Sequence, residues 1–188
     1  FYGANLSKAN LTDADLAGTD LRRTNLRQTN LRRANLQGAL LDSAILDGAS
    51  LVEADLESAY LDDASLHHAD LHEASLRGAD FRYAHMIGAN LQRANLEHAN
   101  LEGANLAKAR LDSATMTMTI LYKANLSTAN LHGARLHHAV LIEAQLSRAD
   151  LQKTDLTEIY APKAHFRQAR LTEANLELAN LVAADLNQ

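Results

Sequence analysis

Cysteine is absent from this 188-residue chain, which excludes disulfides, thiolate metal sites and cysteine nucleophiles together. Tryptophan is absent too, and aromatic residues make up only 4%, although apolar residues reach 47%. The interior is therefore assembled from small and medium aliphatic side chains. One proline and eight glycines are too few for a collagen-like or low-complexity chain. The balance of 18 basic and 23 acidic residues leaves a net charge of -5, too mild for a nucleic-acid binder. No apolar run approaches the ~18 residues of a membrane span, and the opening residues do not read as a signal peptide, so no membrane partner is expected.

What the sequence does have is a period of five. In steps of five from Phe1 to Leu186, 32 of 38 positions are Leu; the others are Phe1, Phe81, Met86, Met116, Ala161 and Phe166. We call this slot 1. Slot 4 holds Ala at 31 of 37 positions, with Thr19, Thr24, Thr29, Thr119, Thr154 and Ile159 as the exceptions. Slot 5 is Asn or Asp at 21 of 37 positions, as in Asn5, Asp15, Asn90 and Asn175. Slots 2 and 3 are mostly polar, and all eight glycines fall in slot 3. The pattern runs through residues 1–188 without a slip, which predicts one domain with no loop insertion.

No regular secondary structure accepts this period. Five residues advance an α-helix by about 500°, a net ~140°, so the leucines would spray around the axis. On a straight strand an odd step alternates faces, and a heptad coiled coil needs 3.5 residues. The pattern is satisfied if the chain bends once per repeat and keeps every Leu and Ala pointed at one axis. That is a solenoid with very short strands for faces and turns for corners. Glycine confined to slot 3 marks a corner with positive φ.

The repeat A-[DN]-L-x-x, seen in ADLAG, TNLRQ, ANLQR and ANLEG, resembles the pentapeptide-repeat family over the whole chain. The resemblance implies an all-β fold, a right-handed quadrilateral β-helix with four five-residue faces per coil. On that basis the chain makes about nine and a half coils, a rod roughly 45 Å long at the spacing of paired strands. Leu then fills the axis, each burial contributing about 1.5–3 kcal/mol, with no need of metal or disulfide. Asn and Asp are expected to bond nearby backbone at corners and to align in ladders between coils. Ile159, oversized in slot 4, is compensated by the undersized Ala161 in slot 1. Pro162 removes a backbone donor and is expected to disturb the ladder locally.

Folded at twenty residues per coil, surface residues become columns. Arg22, Arg23, Arg27, Arg32 and Arg33 form a band without an acid in coil 21–40, whereas residues 41–80 carry ten acids against Arg77 alone. Columns such as Asp13–Arg33–Glu53 and Arg22–Asp42 suggest ion pairing between coils, each exposed pair contributing only ~0–1 kcal/mol. The other reading is a bipolar docking surface for a charged partner. Some members of the family protect DNA gyrase as mimics of duplex DNA. A 45 Å mimic would want roughly 26 negative charges, and Asp55, Asp70 and Asp80 sit in the slot used for backbone bonding. The DNA mimic directed at a type II topoisomerase is therefore the alternative, not the main reading.

Nine histidines, notably His67, His68, His72, His132, His137 and His138, raise a metal reading. Zinc needs three or four converging ligands, and neighbouring surface side chains of a solenoid are expected to diverge, so these read as solvated histidines. No metal and no cofactor is expected. No nucleophile elbow, phosphate loop or zincin motif is present, and a convex surface over a filled axis predicts a non-enzyme.

One surface feature breaks the polar rule. Ile120, Tyr122, Val140, Ile142, Tyr160, Pro162 and Val182 share one face over successive coils, with Met118 and Leu178 at the preceding corner. Leu40, Ile45, Val52, Tyr60 and Ile87 are smaller interruptions elsewhere. The plain reading is cross-strand packing; the functional one is contact with a protein partner or a second copy in a weak homodimer. Stacking of the uncapped solenoid ends, or a longer parent chain, is the further expectation at the termini. The main expectation is a non-catalytic scaffold or protein-interaction module that does not bind nucleic acid directly. Its partner is unidentified, and the family's abundance in bacteria makes the bacterial cytoplasm the expected compartment.

Overall fold

The computed structural model describes residues 1–187, and among them no helix forms, so none is long and apolar enough to cross a membrane. Each slot-5 residue makes a parallel bridge with the residue twenty positions on, from Asn5–Asn25 to His165–Asp185 without a break. A coil is thus twenty residues long, four repeats lie side by side in it, and each coil stacks in register on the next.

The repeat follows from where the backbone hydrogen bonds go. In interior coils, slot 1 donates to the slot-5 carbonyl of the next coil (Leu26 to Ile45, 2.7 Å). Slot 3 donates to the slot-2 carbonyl of the next coil (Gln28 to Asp47, 3.0 Å). Slot 5 donates back to the slot-4 carbonyl of the previous coil (Asn25 to Ala4, 2.9 Å). Slot 4 closes a β-turn onto the slot-1 carbonyl (Thr29 to Leu26, 3.2 Å). Only the slot-2 N–H has no backbone acceptor. All 21 Asn and Asp side chains of slot 5 accept it through Oδ1, at 3.0 to 3.3 Å. The slot-5 preference is thus a response to one orphan donor per repeat. Ladders between coils are rarer: Asn25 donates to Asn5 (3.1 Å) and Asn90 to Asp70 (2.8 Å).

Slot 3 has positive φ in every described repeat, 29 of them without glycine, at 55° to 67°. The left-handed conformation costs a non-glycine residue roughly 1–2 kcal/mol. It is imposed because the turn bond and the bond to the next coil both act on this residue. Two glycines have a steric reason as well. A Cβ on Gly88 would meet His68 Nδ1 at 2.7 Å, and one on Gly103 would meet Tyr83 Cδ1 at 2.6 Å.

Every slot-1 and slot-4 side chain from Leu21 to Ala164 is buried. The four buried threonines give their hydroxyls to carbonyls, as Thr24 does to Phe1 (2.9 Å) and Thr154 to Leu131 (2.9 Å). Ile159 and Ala161 are both buried, so the size exchange is accommodated inside. The turns beside it lengthen, to 3.4 Å at Ile159–Leu156 and 3.3 Å at Ala164–Ala161. At the two ends the axis opens: Phe1 is 62% exposed and Leu186 47%.

Pro162 does not disturb the ladder, contrary to the expectation from its missing donor. It lies in slot 2, the one position whose N–H the backbone never uses, and at the second residue of a β-turn, where its φ fits. Its carbonyl still accepts from Glu143 (3.1 Å), and Ala161 and Lys163 keep their bonds to Asn180 and Val182 (2.9 Å each).

Candidate interaction surfaces

Between the two ends, slots 1 and 4 face the axis, so slots 2, 3 and 5 carry what meets solvent. Ile120, Val140 and Tyr160 are consecutive bridge partners in one slot-5 column. Tyr122, Ile142, Pro162 and Val182 run in the slot-2 column beside them. Ile120, Tyr160 and Val182 are exposed, and Tyr122, Val140, Ile142 and Pro162 are half-buried. Met118 and Leu178 stand exposed at the preceding corner. A charged rim adjoins this strip: Lys123 Nζ lies 4.8 Å from the Tyr122 ring centroid and 3.8 Å from Glu143.

Four of the five arginines of the band are paired, partly in another way than the columns suggest. Arg33 grips Asp13 of the previous coil with two hydrogen bonds of 2.7 and 2.8 Å, which hold the Asp13 carboxyl below its usual range. Arg32, not Arg33, takes Glu53. Arg22 does not bridge to Asp42; it folds back onto Asp20 of the neighbouring repeat, Nη2 to Oδ2 2.8 Å. That hydrogen bond lowers Asp20 to about 2. The reason is reach: slots 5 and 2 flank one corner, and the Arg22 N–H is already on Asp20 Oδ1. Arg27 lies 3.4 Å from Asp47, and Arg23 makes no ion pair among the described residues.

Most acids of 41–80 are likewise committed. Asp47 accepts from the Ser65 hydroxyl and the His67 N–H, Asp70 from the His72 N–H, and Asp80 pairs with Arg82 at 2.6 Å. Asp42 and Glu57 have no such partner among the described residues, and neither has Asp62. Its Oδ1 is buried without a partner among the described residues, and burial, with Asp80, Asp42 and Asp63 adding to it against Arg82, raises its pKa.

The histidines do not all diverge, which corrects the sequence expectation. His137 and His138 are adjacent in slots 2 and 3, yet their ring centroids lie 3.8 Å apart. The left-handed turn at His138, φ 59°, brings neighbouring side chains together where an extended strand would separate them. Glu158, the residue one coil below His138, joins them: its Oε2 is 3.6 Å from His138 Nδ1. A His-His pair in slots 2 and 3 with Glu twenty residues beyond the second was the available signal. His67 and His85 approach to 5.9 Å between centroids without a third ligand.

These features define a repeat solenoid with a filled axis, whose chemistry lies wholly in its outer columns. The sequence profile of pentapeptide repeats matches in eight copies, over residues 1–28, 59–97, 89–127, 119–157 and 154–188, and the chain belongs to the pentapeptide-repeat family. It is similar over its whole length to HetL, a pentapeptide-repeat protein involved in heterocyst differentiation regulation in the cyanobacterium Nostoc sp. strain PCC 7120. The identity is 36%, with 100% of this chain and 86% of HetL covered and a TM-score of 0.78. Rfr23 of the cyanobacterium Cyanothece 51142 is 35% identical over 55% of this chain and 84% of its own, with a TM-score of 0.51. QnrB1, a plasmid-mediated fluoroquinolone resistance protein, shares the fold at 16% identity, with 97% of this chain and 89% of its own covered and a TM-score of 0.66. A comparison with curated proteins found no match.

Proposed function

We propose that the protein is a non-catalytic scaffold that binds protein through the apolar strip of Ile120, Tyr122, Val140, Ile142, Tyr160, Pro162 and Val182. One observation carries this reading. At Ile120 and Val140 the slot-5 acceptor is given up, so the N–H groups of Tyr122 and Ile142 lose a bond that all 21 Asn and Asp residues make elsewhere. Such a bond contributes about 1 kcal/mol, and the exchange places apolar side chains on the outside, where the fold gains little from them. The occupant we propose is a second copy in a weak homodimer, because a strip of three coils, about 15 Å at strand spacing, is one side of a small interface. The scaffold itself is proposed as right-handed and quadrilateral, with about nine and a half coils, in a bacterial cytoplasm; the cyanobacterial sources of HetL and Rfr23 support the bacterial origin.

The alternative, a DNA mimic acting on a type II topoisomerase, has the likeness of fold to a fluoroquinolone resistance protein in its favour. Against it stand the acids held by arginines and backbone amides, as Asp13 is by Arg33, Asp80 by Arg82 and Asp55 by the Glu57 N–H. Sedimentation of the triple variant Ile120→Asn, Val140→Asp, Ile142→Lys tests the main reading. Self-association of the wild type that the variant loses supports it; identical sedimentation of the two overturns it. Inhibition of gyrase supercoiling at low protein concentration would replace it with the mimic.

A further inference from the structure

At the corner beside the apolar strip, two imidazoles and a carboxylate converge. His137 and His138 are half-buried, Glu158 is exposed, and one ligand atom from each lies within 4.8 Å of the others. We propose that His137, His138 and Glu158 form a binding site for a divalent transition-metal ion of the zinc class. This goes beyond the scaffold reading and does not depend on it.

Zinc takes imidazole nitrogen and carboxylate oxygen at about 2.0–2.2 Å, which sets tetrahedral ligand atoms about 3.4 Å apart. His138 Nδ1 and Glu158 Oε2 are already 3.6 Å apart. The widest separation in the group, within 4.8 Å, needs to close by at most about 1.4 Å, within the reach of side-chain rotation at a surface turn. Two imidazoles with one carboxylate suit zinc, nickel or copper and do not suit calcium or magnesium, which take oxygen ligands. Three protein ligands leave a fourth position open to water or to a group from a partner.

The surroundings fit a cation. Asp155 stays anionic beside His137: hydrogen bonds from Thr157 are the main cause of its lowered pKa, and His137 and Arg135 add to it. Arg135, the bridge partner of Asp155, is the positive charge that faces this carboxylate. A simple ion pair would account for His138 with Glu158, but not for a second imidazole packed against the first. Two imidazoles beside one carboxylate offer a single ion two nitrogen ligands and an oxygen. Other histidines make simple pairs, His72 with Glu73 at 3.4 Å and His98 with Glu97 at 3.6 Å. Among the described residues no other three such side chains converge.

The experiment is zinc chloride titration of the whole, chelator-stripped protein by calorimetry, with the imidazole signals followed by NMR. The expected result is one zinc per chain, with His137 and His138 shifting first. His138→Ala and Glu158→Gln should each weaken binding at least tenfold while His98→Ala leaves it unchanged. Circular dichroism checks that each variant keeps its fold. Absence of saturable binding, binding that survives the His138→Ala, Glu158→Gln double variant, or first shifts at other histidines overturns the proposal. The NMR readout needs no substitution, so it decides even if a variant fails to fold.

Discussion

Pro162 follows Tyr160 by two residues, and each removes the consequence of the other: Tyr160 supplies no acceptor for a slot-2 N–H, and Pro162 has none to satisfy. Proline is therefore expected to be welcome in slot 2 where slot 5 is neither Asn nor Asp and no other side chain takes the N–H, as Asp47 takes that of His67. Val52, which follows Ser50, is such a place. Val52→Pro should stabilise the protein by about 0.4–1 kcal/mol through the unfolded chain. Gln92→Pro should not, because it deletes the 3.3 Å bond from the Gln92 N–H to Asn90. Denaturant unfolding of the two variants compares them directly.

Gly103 and Tyr83 should behave as a coupled pair. Gly38→Ala and Gly103→Ala both meet the left-handed penalty of about 1 kcal/mol, but only the second pushes a Cβ into a ring. Gly103→Ala is expected to be the more destabilising, and Tyr83→Ser to recover the difference. A double-mutant cycle with no coupling energy would contradict the contact.

Ile159 and Ala161 should likewise be inseparable. Ile159→Ala alone leaves a cavity and is expected to cost about 2–5 kcal/mol. Ala161→Leu alone overfills the axis, at about 1–3 kcal/mol. The double variant restores the common pattern and should lie close to wild type in thermal unfolding, far from the sum of the singles.

Asp20 offers a test by pH. Its folded value of about 2 lies below the ordinary 3.8, so its contribution is complete above pH 3.8 and is lost as pH falls through about 2. Arg22→Ala should return the carboxyl toward its ordinary value in an NMR titration. A carboxyl that stays near 2 in that variant would mean that the Arg22 side chain is not what lowers it.

The axis was legible because slots 1 and 4 repeat a single demand, apolar and of fixed size, and Asn and Asp at slot 5 announce a corner. The left-handed turn was legible only from glycine, which marks eight of its 37 occurrences; residues such as Lys8 and His138 carry it with no sign in their chemistry. The period of five also says nothing of how many faces close a coil, since that depends on which repeats bond to one another, at an offset of twenty. Side-chain direction at a corner was the other missing quantity. It turned Arg22 to Asp20 instead of Asp42, and it brought His137 against His138.

The twenty-residue register makes azimuth a property of sequence position. Each coil bonds only to its neighbours, so excising one five-residue repeat, such as Leu106–Arg110, leaves every later side chain in the same slot, inside or outside as before. What changes is direction: the downstream surface turns by a quarter revolution against the upstream one. Ile120, Val140 and Tyr160 would then continue the column of Asp15, Asn35 and Asp55 instead of that of Asp20, Leu40 and Tyr60. Deletions in this molecule thus work as a dial, re-aiming one end of the rod while leaving the character of its interior unchanged.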